Sequence, residues 1–521
     1  MNVFSGKTAL LDFYDPEKNP PLPLVELPVH PFVDDGVRIY AKMLTLLPAG
    51  NVKSLPALNM IMRAMEAGHI NHTTKRIVEY SSGNTVISLG IVSKIMGGPQ
   101  VGAYISNKTS TQKMELLRFF GLDLTLFGGP AQVEPADVNG GIHAAIQDGM
   151  QPGCYNPGQY SSPHNSEAHE RWTGPQLYAQ LPKINIFASA VGTSGMLRLF
   201  KQPALVDFWS LGTMTGTGTY LKTVRPNIVN LGVFTAPGDR VPGPRPIDLV
   251  QTVDLPWQEV IDAAEHVTSV ASYGISLELC RQGLIAGPSS GLALKGLYQF
   301  LEKAKQNGQL DGLRADDGFV YCAFICCDQP YQYISDYFAK LDPACFPDIH
   351  NTELLESDLY PYGVDWVISP SEAFRMLYPA HGLQTPPAEP TELDQDGSEQ
   401  RVAHASEQSI HAHAAVIDLR AESDFHRAHI HGSKNFEVQC IANPFKEPKL
   451  LAKLWEQLHT VLVPESKGLT NKNVLVVGHN EEVAYVASSV LRKQGVKAFA
   501  LGGGFGKWAE SGFDRIFVEQ V

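Results

Sequence analysis

The 521-residue chain is short of the features that mark several functional classes. It has no run of basic residues: 41 Lys plus Arg stand against 54 Asp plus Glu, a formal net charge of -13. That balance argues against nucleic acid or an anionic membrane as partner. It has no apolar stretch long enough to span a bilayer. Its first 20 residues, MNVFSGKTALLDFYDPEKNP, carry acids early and show neither a signal-peptide core nor an arginine-rich transit pattern. The expectation is a cytoplasmic protein without a membrane span. Cysteine is scarce and odd in number, seven in all, at no disulfide-framework or metal-ligand spacing. This excludes a stapled secreted scaffold and gives no metal site. Cys322, Cys326 and Cys327 fall in the apolar run Phe319–Cys327 and read as reduced core thiols. What remains is 44% apolar and 18% charged, an ordinary enzyme composition.

The pattern of runs divides the chain. Residues 1–20 read as a loose lead-in. From 21 to 378, strand-like runs (Gly36–Lys42, Arg76–Tyr80, Val101–Ile105, Asp123–Phe127) alternate with helix-like runs such as Leu55–Met65 and Gln112–Phe120. Such alternation implies an α/β layer with a mostly parallel sheet. Ligand sites then gather at the carboxyl ends of the strands. Residues 379–412 lose apolar periodicity and turn to Pro, Glu, Gln, Ser and His, the composition of a linker. Its histidines at 404, 411 and 413 read as solvated rather than ligating. Residues 413–521 form a second α/β unit with strands near 415–419, 473–477 and 497–501.

Polar turns recur at strand ends in the first unit. Ser81-Ser82-Gly83-Asn84-Thr85 lies between a strand and an apolar helix, where hydroxyls and unpaired N–H groups at a helix start favour a carboxylate. The same residues are also ordinary loop and capping chemistry. Lys53 sits among apolar residues at a helix entrance. A surface charge is the plain reading of a single lysine; burial would lower its pKa and suit a Schiff-base amine. Gln159 lies in the long polar run Tyr155–Pro175. Val191-Gly192-Thr193-Ser194-Gly195 follows a buried strand and offers consecutive N–H groups to a phosphate. Gly287-Pro288-Ser289-Ser290-Gly291 opens another helix.

In this order the motifs resemble the fold-type II pyridoxal-phosphate enzymes, and within them the cysteine synthase and cystathionine β-synthase branch, over residues ~20–375. The Asn156–Pro175 segment is the branch-specific part. The resemblance implies two three-layer α/β subdomains, pyridoxal 5'-phosphate as cofactor and a homodimer. By position it implies that Lys53 holds the cofactor and later moves a proton, and that Asn84 bonds the pyridine 3'-oxygen. Ser81, Ser82, Gly83, Thr85 and Gln159 would take the substrate carboxylate. Gly192, Thr193, Ser194, Gly195 and Thr213 would take the phosphate, and Ser289 the ring nitrogen. The implied activity is β-elimination and β-replacement on a serine-derived amino acid with a thiol or sulfide, in cysteine biosynthesis.

Three departures stand out. The residues flanking Lys53 are Asn51, Val52, Ser54 and Leu55, without the family's charges, and Val86 replaces a glycine after the Asn-Thr pair. The phosphate turn is broken: its second half, Thr213–Gly218, resumes only after the 17-residue segment Met196–Gly212. That segment reads either as foreign to the working enzyme, a retained intron for instance, or as a loop that bulges outward and leaves the halves adjacent. The second unit resembles a rhodanese domain in Asp418–Asn435 and Leu501–Gly512, yet its strand 474–477 runs into Gly478-His479-Asn480-Glu481-Glu482 where the family places a cysteine and a cation. A persulfide cannot form there. Besides the cysteine synthase-like activity, two alternatives stand: a pseudoenzyme or binding scaffold, and a serine or threonine dehydratase.

Overall fold

Strand β10 (Val320–Cys326) is buried along its whole length, as its unbroken apolar sequence requires of a central parallel strand. Its side chains alternate between two cores: Cys322, Phe324 and Cys326 enter one, Tyr321, Ala323 and Ile325 the other. The computed structural model describes residues 3–81, 83–129, 137–192, 212–247, 257–379 and 410–513. The chain forms two compact units, 1–346 and 347–521.

The first unit holds two sheets. Its strands are β1 (Leu24–Glu26), β2 (Val37–Met43), β3 (Arg76–Tyr80), β4 (Gln100–Ser106), β5 (Asp123–Phe127), β6 (Cys154–Tyr155), β7 (Ile186–Ala190), β8 (Val229–Thr235), β9 (Ala263–Val267) and β10. One sheet runs β1-β2-β10-β7-β8-β9, parallel except for β1 against β2. The other runs β5-β4-β3-β6, all parallel. Residues of the Ser54–Glu66 helix (Leu55, Leu58, Ile61) share one core with Ile77 of β3, Val101 of β4 and Phe187 of β7, so a single apolar body joins both sheets. The Pro288–Gln306 helix buries Leu292, Leu294, Leu297 and Leu301 on the opposite face of the larger sheet. Parallel strands aim their carboxyl ends one way, which brings the turns after β3, β7 and β10 to a common rim.

The lead-in is not loose. It carries a helix, Ala9–Tyr14, and Glu17 accepts from Trp172 Nε1 at 3.0 Å and Arg171 Nε at 2.8 Å. A contact between residues so distant in sequence leaves no local pattern.

The second unit is a parallel sheet ordered β11-β15-β14-β12-β13, from β11 (Val367–Ile368), β12 (Ala414–Asp418), β13 (Lys434–Asn435), β14 (Asn473–Val477) and β15 (Lys497–Leu501). The sequence boundary at 378 shifts here: β11 pairs with β15, and Ala373, Leu377 and Tyr378 pack with Leu475, Leu501 and Trp508. Residues 347–379 therefore belong with this unit. Most of the expected linker, and residues 196–211 of the inserted segment, lie outside the described residues. Among the described residues no helix is long and apolar enough to cross a membrane, and no His/Cys/Asp/Glu cluster has metal-site geometry.

Candidate active site

The common rim encloses a cavity of about 440 Å³. Lys53, Ser81, Gly83, Asn84, Thr85, Gln159, Gly192, Thr213 and Ser289, drawn from six separate stretches of chain, all line it. Ser82, Thr193, Ser194 and Gly195, also expected here, lie outside the described residues.

Lys53 caps the Ser54–Glu66 helix, its own N–H donating to Asn51 Oδ1 at 2.9 Å. Burial pushes its ammonium below the ordinary lysine range; the nearby Cys327 and Asp328 pull the other way and lose. Burial thus weighs against the charged form of this amine.

The turn after β3 is braced from beneath. Thr85 Oγ1 donates to Gln159 Oε1 at 2.7 Å, and Gln159 Nε2 donates to Tyr80 O at 2.8 Å. Under both lies Glu79, only 2% exposed, whose carboxylate accepts from Tyr80 N and Gln159 N, each at 2.9 Å. Burial raises its pKa to about 7, against the opposing effect of these hydrogen bonds. Because the folded-state value lies above that of the unfolded chain, protonation favours the fold. Stability is greatest below the carboxyl's ordinary range and falls as pH rises towards 7, by on the order of 3 kcal/mol in total. Thermal melts from pH 4 to 8 should show this decline, and Glu79→Gln should flatten it; a variant curve parallel to the wild type would remove Glu79 as the cause.

Asn84 is held at both ends of its amide. Gln332 Nε2 donates to its Oδ1 at 2.9 Å, and its Nδ2 donates to Asp328 Oδ2 at 2.7 Å. One amide hydrogen is left to donate, the number a single ring oxygen requires. Asp328, two residues past the end of β10 and 3% exposed, also accepts from Tyr333 Oη at 2.7 Å. Its Oδ1 has no hydrogen-bond partner among the described residues, and burial raises its pKa.

Ser289 lies in the first turn of the Pro288–Gln306 helix, beside the Cys327 thiol, which burial pushes up to about 12 and so keeps protonated. At the cavity's other end, Thr213 lies in the first turn of the Gly212–Val224 helix, whose N-terminus favours an anion. The Thr213 hydroxyl is 3.2 Å from Nε2 of His169, whose Nδ1 is 2.9 Å from Thr173 Oγ1. His169 is fully buried and pushed down to about 3, by burial first and by the Lys53 charge second, so it is a neutral ring that orients a hydroxyl. Gly192 is required by space: a Cβ there would come 2.4 Å from Gly243 O.

Four residues in or behind this wall carried no role in the sequence reading: Lys113 and Asp328, which line the cavity, and Glu79 and His169, which stand behind it. His169 stood within a quoted motif, and Asp328 follows an apolar strand at the carboxyl side where sites gather. Glu79 and Lys113 gave no local signal. The donor set as a whole fits pyridoxal phosphate: a buried amine for the aldehyde, one free amide N–H, a neutral hydroxyl at a helix start, and a second helix N-terminus for the phosphate.

In the second unit, Asn480 caps the Glu481–Lys493 helix by accepting from Val483 N at 3.0 Å, and Gly503 N donates to Glu481 Oε2 at 3.1 Å. A Cβ at Gly478 would lie 2.8 Å from Asn480 O. The loop is closed on itself and contains no thiol.

Comparison with known proteins agrees with both units. Residues 18–198 match the family of pyridoxal-phosphate dependent enzymes, and residues 402–511 match the rhodanese-like domain. The first match ends inside the inserted segment. The chain is 29% identical over 286 residues to the cysteine synthase of Staphylococcus aureus (strain Mu50 / ATCC 700699), covering 53% of this chain and 84% of that protein. It is 28% identical over 297 residues to the cysteine synthase of Aquifex aeolicus (strain VF5), covering 56% and 83%. A solved structure of O-ureido-L-serine synthase superposes with a TM-score of 0.52 at 21% identity, covering 68% of this chain and all of that one, a likeness of fold.

Proposed function

We propose that this chain, which joins a fold-type II pyridoxal-phosphate enzyme domain related to the cysteine synthases to a C-terminal rhodanese-like domain, catalyses β-replacement on a serine-derived amino acid with sulfide or a thiol as acceptor. The observation that carries the reading is the Lys53 amine, depressed by burial, in one cavity with Asn84, Thr85, Gln159 and Ser289. When bound, pyridoxal phosphate supplies an electron sink that acidifies the hydrogen on the substrate's α-carbon. Lys53 holds the cofactor at rest and then, as a free amine of lowered pKa, takes that proton and later returns it. Ser81, Thr85 and Gln159 hold the substrate carboxylate, and the Glu79 bracing keeps their spacing when the site fills. Asn84 presents its remaining N–H to the ring oxygen, with Asp328 and Gln332 fixing its orientation. The neutral Ser289 hydroxyl would hold the ring nitrogen without demanding its protonation, which suits elimination. Thr213, oriented by neutral His169, takes the phosphate with the helix behind it.

The test is an absorbance spectrum of the purified full chain before and after borohydride, then O-acetyl-L-serine with sulfide. A visible band fixed by reduction, and cysteine formation, support the reading; keto acid without cysteine would make it a dehydratase, and no band at all a scaffold.

The rhodanese-like domain is proposed to bind or regulate rather than transfer sulfur, since its 478–483 loop has no nucleophile. The full chain should show no thiosulfate-to-cyanide sulfur transfer above the uncatalysed rate. A rate that survives cofactor removal would overturn this.

A further inference from the structure

The cavity wall carries more positive charge than the proposed reaction uses. Six cationic side chains line it against two carboxylates, Asp328 and Asp336. Four of the six have occupations. Lys53 is the reacting amine. Lys108 Nζ donates to Gly129 O at 2.6 Å, and Lys340 Nζ donates to Ser269 Oγ at 3.3 Å. Arg245 is buried, 5.3 Å above the Tyr160 ring.

Lys113 and Arg240 remain. Lys113 is half-buried, its ammonium 5.5 Å over the Tyr333 ring and 3.7 Å from where a Cβ on Gly83 would sit, next to the carboxylate turn. Burial disfavours its charge first and the exposed Arg240 guanidinium second, while Asp328 and Asp336 oppose both less strongly. Among the described residues neither side chain forms an ion pair with a carboxylate. The two nearby acids are turned elsewhere: Asp328 Oδ2 accepts from Asn84 and Tyr333, and Asp336 Oδ2 accepts from Tyr273 Oη at 3.2 Å. Two like charges at the rim of a partly enclosed cavity repel each other, and an anion between them would relieve that.

The other anions of the reaction have their own seats. The α-carboxylate goes to Ser81, Thr85 and Gln159, and the cofactor phosphate to the Gly212–Val224 helix start. We infer that Lys113, with Arg240, forms a subsite for an oxyanion on the group exchanged at the β-carbon, so that the preferred chemistry involves a doubly anionic amino acid or an anionic sulfur acceptor. This rests on the β-replacement reading above and refines it. For the leaving-group case the reaction balances as O-phospho-L-serine plus hydrogen sulfide giving cysteine plus hydrogen phosphate. Lys53 takes the α-proton, the Cβ–O bond breaks with its electron pair going to phosphate, the sulfide sulfur bonds Cβ, and Lys53 returns the proton. For the acceptor case, thiosulfate supplies the attacking sulfur and keeps its sulfonate in the product, with acetate leaving.

The experiment uses the full-length holoenzyme. kcat/KM is measured for O-phospho-L-serine and O-acetyl-L-serine with sulfide, and for thiosulfate against sulfide as acceptor with O-acetyl-L-serine. Wild type, Lys113→Met and Lys113→Arg are compared. A charge-assisted contact gives about a tenfold or larger change in the anionic-to-neutral ratio, carried mainly by KM. Lys113→Met should collapse that ratio and Lys113→Arg should keep it. A ratio effect confined to O-phospho-L-serine assigns the subsite to the leaving group; one confined to thiosulfate assigns it to the acceptor. Turnover of the neutral substrates with no Lys113-dependent preference in either arm overturns the subsite and leaves the β-replacement reading standing. Should no substrate turn over, that reading fails, and calorimetric titration of O-phospho-L-serine and, separately, of thiosulfate into wild type and Lys113→Met decides the subsite alone: equal or absent binding of both overturns it.

Discussion

Lys53→Met is expected to leave a folded chain that no longer forms a cofactor bond reducible by borohydride, with β-replacement lowered at least about 10³-fold, the range of a lost general base. Both losses have one origin. The residue opens the Ser54–Glu66 helix, where its backbone N–H is satisfied by Asn51 and its side chain turns into the cavity. Methionine keeps most of the apolar stem and removes the amine. It also removes a charge that burial already disfavours, so melting temperature should hold or rise slightly while chemistry disappears. Adding cofactor cannot restore the rate. A variant that retained a reducible band, or that fell by less than tenfold, would place the reacting amine elsewhere.

Gly216→Ala is expected to destabilise the fold beside the site. The added Cβ would come 2.1 Å from Ser166 O, 2.9 Å from Glu170 N and 2.9 Å from His169 Cβ. Two of these are backbone atoms of the packed segment that carries His169, so no side chain can swing aside. Forcing the Gly212–Val224 helix away costs about 3 kcal/mol on the scale of core overpacking. The movement also separates Thr213 from His169, now 3.2 Å from each other. The variant should therefore melt several degrees lower and release pyridoxal phosphate more readily in a dialysis assay. Alanine at Gly274, in the Ser269–Arg281 helix, where a Cβ meets nothing within 4 Å, is the control and should do neither. Unchanged melting for Gly216→Ala would mean that the helix and the His169 segment are not in close contact.

Much of this was readable from local pattern, and the particular residues show why. The runs at 37–43, 76–80, 123–127, 473–477 and 497–501 are strands because apolar, β-branched and aromatic residues crowd into short stretches bounded by turns. The turns following them carry polar residues at helix starts, and the resemblance that their order shows to a known family is how Lys53, Asn84, Gln159 and Ser289 could be singled out together. The lead-in and the boundary at 378 misled for the opposite reason. Glu17 is fixed by Trp172 and Arg171, and Val367–Ile368 by pairing with β15, both across long separations that leave no mark on neighbouring residues.

The amino-acid sequence alone determined the α/β alternation, the order of the polar turns and the missing thiol of the second unit, since each is a property of a few adjacent residues. Only the tertiary structure decided what stands behind those turns. Glu79 beneath Tyr80 and Gln159, His169 behind Thr213, Asp328 against Asn84, and Lys113 beside Gly83 act through burial and through neighbours brought together by packing. Neither exists until the chain has folded.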